Sequence, residues 1–234
     1  MRTMSRRPRA ADAPTTRPTA EQVRLAALRL IPSAVLLWAL LAGLGYILTR
    51  WLTHTAFARW DLSVDRWFAG HRGRSWNLAT QIGSHAAETY TVVAIGVVLF
   101  VGLRVVLGRW RESLFLAVAV VGEVMIFVGT TLVIDRPRPA VPHLDAAPPT
   151  SSFPSGHVAA AVALYGAFAV VVWLSSRRGW LRAAAAVLAV AVPVAVGISR
   201  LSRGMHYPTD VLAGALLGAA WLSATALVLL RDRR

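Results

Sequence analysis

The sequence predicts an all-α polytopic membrane protein with six membrane-crossing helices. Three observations carry that prediction. Of 234 residues, 56% are hydrophobic and only 15% charged, and mean hydropathy is +0.55, poorer in charge than soluble domains of this size. Several apolar runs reach the roughly 20 residues needed to cross a hydrocarbon core about 30 Å thick. The basic residues, 25 in all and every one arginine, gather in short segments beside those runs, as the positive-inside pattern requires.

The first 25 residues are rich in Arg, Pro, Thr and Ala without apolar periodicity and predict a disordered basic cytoplasmic tail. Residues 26–234 then form one integral membrane domain. Ser5-Arg6-Arg7 resembles a twin-arginine signal, but the following run lies too far away and is long enough to span, so a retained first helix is expected over 28–49. The segment 52–88 interleaves Trp60, Asp61, Asp65, Trp67, His71 and Arg74 with apolar residues, so it cannot span; it predicts an amphipathic interfacial segment. Further spans are expected over 89–107, 113–134, 157–175, 182–199 and 209–230. Between the third and fourth, residues 135–156 hold six of the 12 prolines and must form a loop. Loops at 109–111 and 177–182 are basic and share a side with both termini. The same rule places the 52–88 segment, the 135–156 loop and the 200–208 loop outside the cell, and Arg136, Arg138, Arg200 and Arg203 are exceptions that call for another role. A net charge of +14 reports orientation here, with no nucleic acid as partner. Having no cysteine, the chain cannot use disulfides, thiolate catalysis or cysteine-ligated metal.

Three polar clusters remain: Arg136-Pro137-Arg138-Pro139, Pro154-Ser155-Gly156-His157, and Ser199-Arg200 followed by His206 and Asp210. The topology brings all three to one outer face. Ionisable groups are costly beside lipid and are kept mainly where they function. Arg138, Arg200 and Arg136 can surround a dianion, since guanidinium forks bond phosphate in bidentate fashion and stay charged. Ser155 and Gly156 precede a helix whose first N–H groups can face an anion, and glycine lets the backbone come close. Two histidines can divide the chemistry of phosphoryl transfer: His206 as a neutral nucleophile, with Asp210 four residues on to orient it, and His157 as the acid for the leaving oxygen. His143 and Asp145, in the 135–156 loop, are candidates for touching substrate. Glu123, inside the third span, is either functional or a bond between helices. His54, His71 and His85 read as surface or headgroup contacts.

These clusters resemble the motifs of the phosphatidic acid phosphatase type 2 and vanadium haloperoxidase superfamily. Its pattern is Lys, six residues, Arg-Pro; then Pro-Ser-Gly-His; then Ser-Arg, five residues, His, three residues, Asp. The second matches at 154–157 and the third at 199–210; the first matches at Arg138-Pro139 but has Thr131 at the lysine position. The resemblance spans about 89–230 and implies a membrane lipid phosphatase with a phosphohistidine intermediate and no cofactor or metal requirement. His206 is then the nucleophile, Asp210 its partner and His157 the general acid, with Arg138, Arg200, Ser155 and Gly156 on the phosphate. The bilayer and a lipid phosphate are the expected partners: undecaprenyl pyrophosphate, phosphatidylglycerol phosphate or phosphatidic acid. Arg136 or Arg203 can compensate for Thr131. The alternatives are a catalytically weakened or non-catalytic protein of the same fold, a lipid transporter, or a haloperoxidase, which six spans disfavour.

Overall fold

The computed structural model describes residues 17–147 and 149–231, apart from the side chain at 107. Among the described residues all regular structure is helical: α1 (Ala20–Tyr46), α2 (Ala56–Gly70), α3 (Arg74–His85), α4 (Thr89–Leu107), α5 (Trp110–Thr131), α6 (Gly156–Ser175), α7 (Gly179–Ser202) and α8 (Pro208–Leu229). Six helices are long and apolar enough to cross a membrane: α1 with its continuation, α4, α5, α6, α7 and α8.

The first span starts at Ala20 instead of near Leu28, so part of the expected tail is ordered. The cause is local. The Thr19 hydroxyl accepts from the Gln22 N–H at 3.2 Å, and the Gln22 side chain accepts from the Thr19 N–H at 3.0 Å. That reciprocal cap satisfies donors an α-helix start otherwise leaves unpaired. Residues 1–16 of the expected tail lie outside the described residues. At its other end α1 continues as a π-helical turn, Ile47–Trp51.

The amphipathic segment is two helices, α2 and α3, broken around Arg72-Gly73. Their polar faces do not simply meet water. Asp61, Asp65, Thr80 and Ser84 are all buried, because α3 packs on α7 and α2 packs on both α7 and α8.

Helix α6 sits at the centre, against α5, α7 and α8. Its buried face is mostly alanine: Ala159, Ala161, Ala163 and Ala167 are fully covered. Small side chains let membrane helices approach closely, where lipid removes much of the hydrophobic drive for association. The matching surface on α8 is a Gly-x-x-x-Gly pair. A Cβ on Gly214 would stand 2.3 Å from the Ser155 carbonyl oxygen, and one on Gly218 2.7 Å from that of Ala159. Gly108, with φ +65°, closes α4 in the left-handed region that glycine occupies without strain. Gly204, with φ +74°, turns the chain out of α7 toward α8. Hydrogen bonds from Arg203 to Asn77 O, from Arg200 to Ser84 Oγ and from the Leu144 N–H to the Arg203 carbonyl bring α3, the 132–155 loop and the 203–207 turn together.

Candidate active site

The three motifs are tied together by backbone before any side chain acts. The Ser152 N–H donates to the Arg136 carbonyl at 2.9 Å, and the Ser155 N–H donates to the Asp210 carbonyl at 2.9 Å. Ser152 Oγ donates to Pro137 O at 3.1 Å. The proline-rich loop thus bridges the first motif, the start of α6 and the start of α8.

His206 lies at the centre of these links and is 4% exposed. Its Nδ1 is 2.7 Å from the Ser152 carbonyl oxygen. A carbonyl only accepts, so Nδ1 carries the proton and Nε2 keeps its lone pair. Burial, then the charges of Arg200 and Arg138, push the imidazolium form of His206 well below its usual pKa. The ring is held neutral, in one tautomer.

Asp210 does not orient that ring directly, contrary to the sequence expectation. Its nearest oxygen is 3.9 Å from Nδ1, which the Ser152 carbonyl already occupies. Asp210 instead accepts from Arg136 Nη1 and, at 3.0 Å, from the Tyr207 N–H.

Arg136 is likewise engaged away from the expected phosphate role. It donates to Asp210, to Thr209 Oγ1 at 2.7 Å and to Asp61 Oδ2 at 2.8 Å, and lies over the Tyr207 ring, 4.2 Å from its centroid. Asp61 accepts in addition from the Thr209 N–H at 3.1 Å and from Thr209 Oγ1 at 2.6 Å. One guanidinium therefore joins α2 to the N-terminus of α8, inside the protein. Asp65, one turn after Asp61, is buried with both carboxylate oxygens unpartnered. Burial, then the nearby charges of Asp61 and Asp210, raise its pKa from 3.8 to about 8.

The remaining motif groups leave donors open. Ser155 stands at the N-cap of α6 but makes no capping bond, and its buried hydroxyl has no partner. Arg138 Nη1 donates to Met205 O at 2.7 Å, and Arg200 Nη1 to Ser84 Oγ at 2.9 Å, while Nε of each is buried and unpartnered. An unpaired buried donor costs about 1–3 kcal/mol; three such donors on three motif segments form a set that an anion would complete. Gly156 begins α6 with the Phe127 ring 2.8 Å from where a Cβ would stand, so a larger residue there would have to displace that ring. His157 follows as the second residue of α6, and the charges acting on it include those of Arg200, Asp145, Arg138 and His85.

Of the loop candidates, Asp145 reaches the arginines: Arg200 Nη1 lies 3.1 Å from Oδ2, and Arg203 Nε lies 2.8 Å from both oxygens. His143 is turned to its own loop, Nε2 3.1 Å from the Pro139 carbonyl. Thr131, at the lysine position, donates its hydroxyl back to Val128 O at 2.9 Å and brings no charge. Glu123 is buried in α5 with both oxygens unpartnered. No three of His, Cys, Asp and Glu gather in a metal-holding arrangement among the described residues.

Sequence reasoning missed Asp61, Asp65, Ser84 and Ser152. Asp61 and Asp65 carried a signal, being carboxylates four apart on one helical face and on the same side as the arginine-rich loop. Ser152 acts through its carbonyl, which side-chain chemistry does not announce.

A family model, the PAP2 superfamily, matches residues 112–234. The chain belongs to the PAP2 superfamily. The bacitracin transport permease protein BcrC of Bacillus licheniformis is 28% identical over 165 residues, covering 68% of this chain and 76% of that protein. A transmembrane PAP2-type phosphatidylglycerolphosphate phosphatase from Bacillus subtilis, solved by crystallography, superposes with a TM-score of 0.71 at 22% identity, covering 86% of this chain and 96% of that one. The six-span helical architecture is therefore that of a membrane PAP2 protein.

Proposed function

We propose that this PAP2 protein is a lipid phosphatase that hydrolyses a lipid phosphate or diphosphate through a phosphohistidine at His206. The observation that carries the reading is the His206–Ser152 hydrogen bond, which presents a neutral Nε2 lone pair in a site with three unpartnered donors. Arg138, Arg200, Ser155 and the first N–H groups of α6 hold the phosphoryl oxygens and the charge that develops on them.

Nε2 of His206 attacks the terminal phosphorus as the bond from that phosphorus to its leaving oxygen breaks, the lipid oxygen in a monophosphate and the bridging oxygen in a diphosphate. The electron pair leaves on that oxygen, which takes a proton from His157. Water then attacks the phosphohistidine, giving its proton to His157; the P–N bond breaks, its electron pair returns to Nε2, and orthophosphate departs. Arg136, Asp61 and Asp210 position the segment that carries His206. No step needs a metal. Arginine distribution favours both termini in the cytoplasm and the site at the outer face of the cytoplasmic membrane.

Purified protein in detergent, given undecaprenyl pyrophosphate, phosphatidylglycerol phosphate and phosphatidic acid with EDTA present, is expected to release phosphate from at least one. His206→Ala should lower release about ten-thousandfold or more, and vanadate should inhibit. Equal release from wild type and variant, or strict dependence on added magnesium, would overturn the mechanism.

A further inference from the structure

Arg203 belongs to none of the residues the motif fixes, yet it is only 6% exposed and every one of its guanidinium nitrogens is engaged. Its Nε donates to both oxygens of Asp145 at 2.8 Å, Nη2 donates to Oδ1 at 2.5 Å, and Nη1 reaches Asn77 O at 3.3 Å. The Leu144 N–H donates in return to the Arg203 carbonyl at 3.1 Å. Arg72 braces the same turn through Ser202 O at 2.7 Å and Pro142 O at 2.8 Å.

Asp145 Oδ2 is shared with Arg200 Nη1, so the donors of Arg200 and Arg203 converge on a volume the size of one carboxylate. Arg200 thus has two working edges. Its end faces Asp145 and Ser84; its Nε, buried and unpartnered, remains for the phosphate held by the motif. Two guanidiniums against one carboxylate leave positive charge in excess, and Arg138 adds more. The Asp145 side chain is 28% exposed, so it can leave toward solvent, as a placeholder must.

We propose that Arg203 and the outer end of Arg200 form a second anion subsite, occupied by Asp145 in the free protein, which takes the non-reacting phosphate of a diphosphate headgroup. The inference rests on the phosphatase reading and deepens it by naming the headgroup class. The terminal phosphate lies at His206 and the adjoining one displaces Asp145, so the substrate straddles Arg200. A diphosphate carries more charge than a monophosphate, and the freed cluster carries the excess to match it. A monophosphate would leave Asp145 in place.

The test compares farnesyl diphosphate with farnesyl monophosphate, one chain and two headgroups, in wild type, Arg203→Gln and Asp145→Asn. Arg203→Gln should lower kcat/KM for the diphosphate by about tenfold more than for the monophosphate, the worth of a charge-assisted contact. Calorimetric titration with inorganic pyrophosphate and with orthophosphate measures the subsite without turnover. Wild type should bind pyrophosphate more tightly, Arg203→Gln should close the gap, and Asp145→Asn should tighten pyrophosphate several-fold by removing the competitor. Equal losses on both substrates, or an unchanged pyrophosphate preference in both variants, would overturn the subsite. A wild type that binds pyrophosphate as described but hydrolyses neither lipid would overturn the phosphatase reading and leave the subsite standing.

Discussion

Asp65 keeps its proton to about pH 8 in the folded protein, against an ordinary 3.8. Between those limits the folded state binds more protons than the unfolded one, so stability falls as pH rises through that window. Asp65→Asn, neutral at every pH, should therefore raise the melting temperature most at pH 8 and above, with the gain shrinking toward pH 4; a constant difference across pH would refute the assignment. Asp61 acts through its ion pair instead. Its carboxylate balances a buried guanidinium, and Asp61→Ala should cost about 3–5 kcal/mol, as breaking a buried ion pair does, with phosphate release falling alongside the melting temperature. Thr131→Lys adds a cation at the end of α5, where the helix dipole favours one. It should leave the melting temperature unchanged or higher and raise kcat/KM several-fold. At this scale the sequence singled out His206, His157, Arg138 and Arg200 by type and spacing, and the fold brings the charges of the other three to bear on His206. The sequence concealed that Asp210 serves Arg136 and that a carbonyl orients His206, because hydrogen-bond choice depends on which acceptor arrives first in three dimensions.

Helix positions were legible where hydropathy alone decides: 89–107 and 157–175 were expected, and α4 and α6 run Thr89–Leu107 and Gly156–Ser175. The misses came where local chemistry overrides hydropathy. The Thr19–Gln22 cap extends α1 toward the N-terminus, and Arg72-Gly73 divides what composition presented as one amphipathic segment. Packing of α8 on α6 offers the sharpest test at this level. Gly214→Ala would put a methyl group 2.3 Å from the Ser155 carbonyl, and backbone cannot yield as a flexible side chain can. We expect a loss of about 1–3 kcal/mol from overpacking and a clear fall in activity, because Ser155 would move with the helix. Gly96→Ala on α4, with nothing within 4 Å of the new methyl group, should be neutral or stabilising. If both variants behaved alike, close approach of α8 to α6 would not be what sets Ser155.

For the molecule as a whole, sidedness is the property arginine counting predicts and single cysteines can read, since the chain has none of its own. In intact cells a membrane-impermeant maleimide should label Ala146→Cys, in the exposed site loop, and spare Arg178→Cys, between α6 and α7. The reverse pattern would invert the proposed topology. The Asp61 clasp bears on a different matter, where the protein can be cut. Residues 112–234 contain every motif and the whole family match, and they look like a self-sufficient unit. Yet Asp61, which holds Arg136 and Thr209, and Ser84, which holds Arg200, both come from ahead of that boundary. The motif-bearing half is thus not a transplantable module. Expressed alone it should be inert, and co-expression with residues 1–111 should restore phosphate release, so the least recognisable part of the chain is what its recognisable part cannot work without.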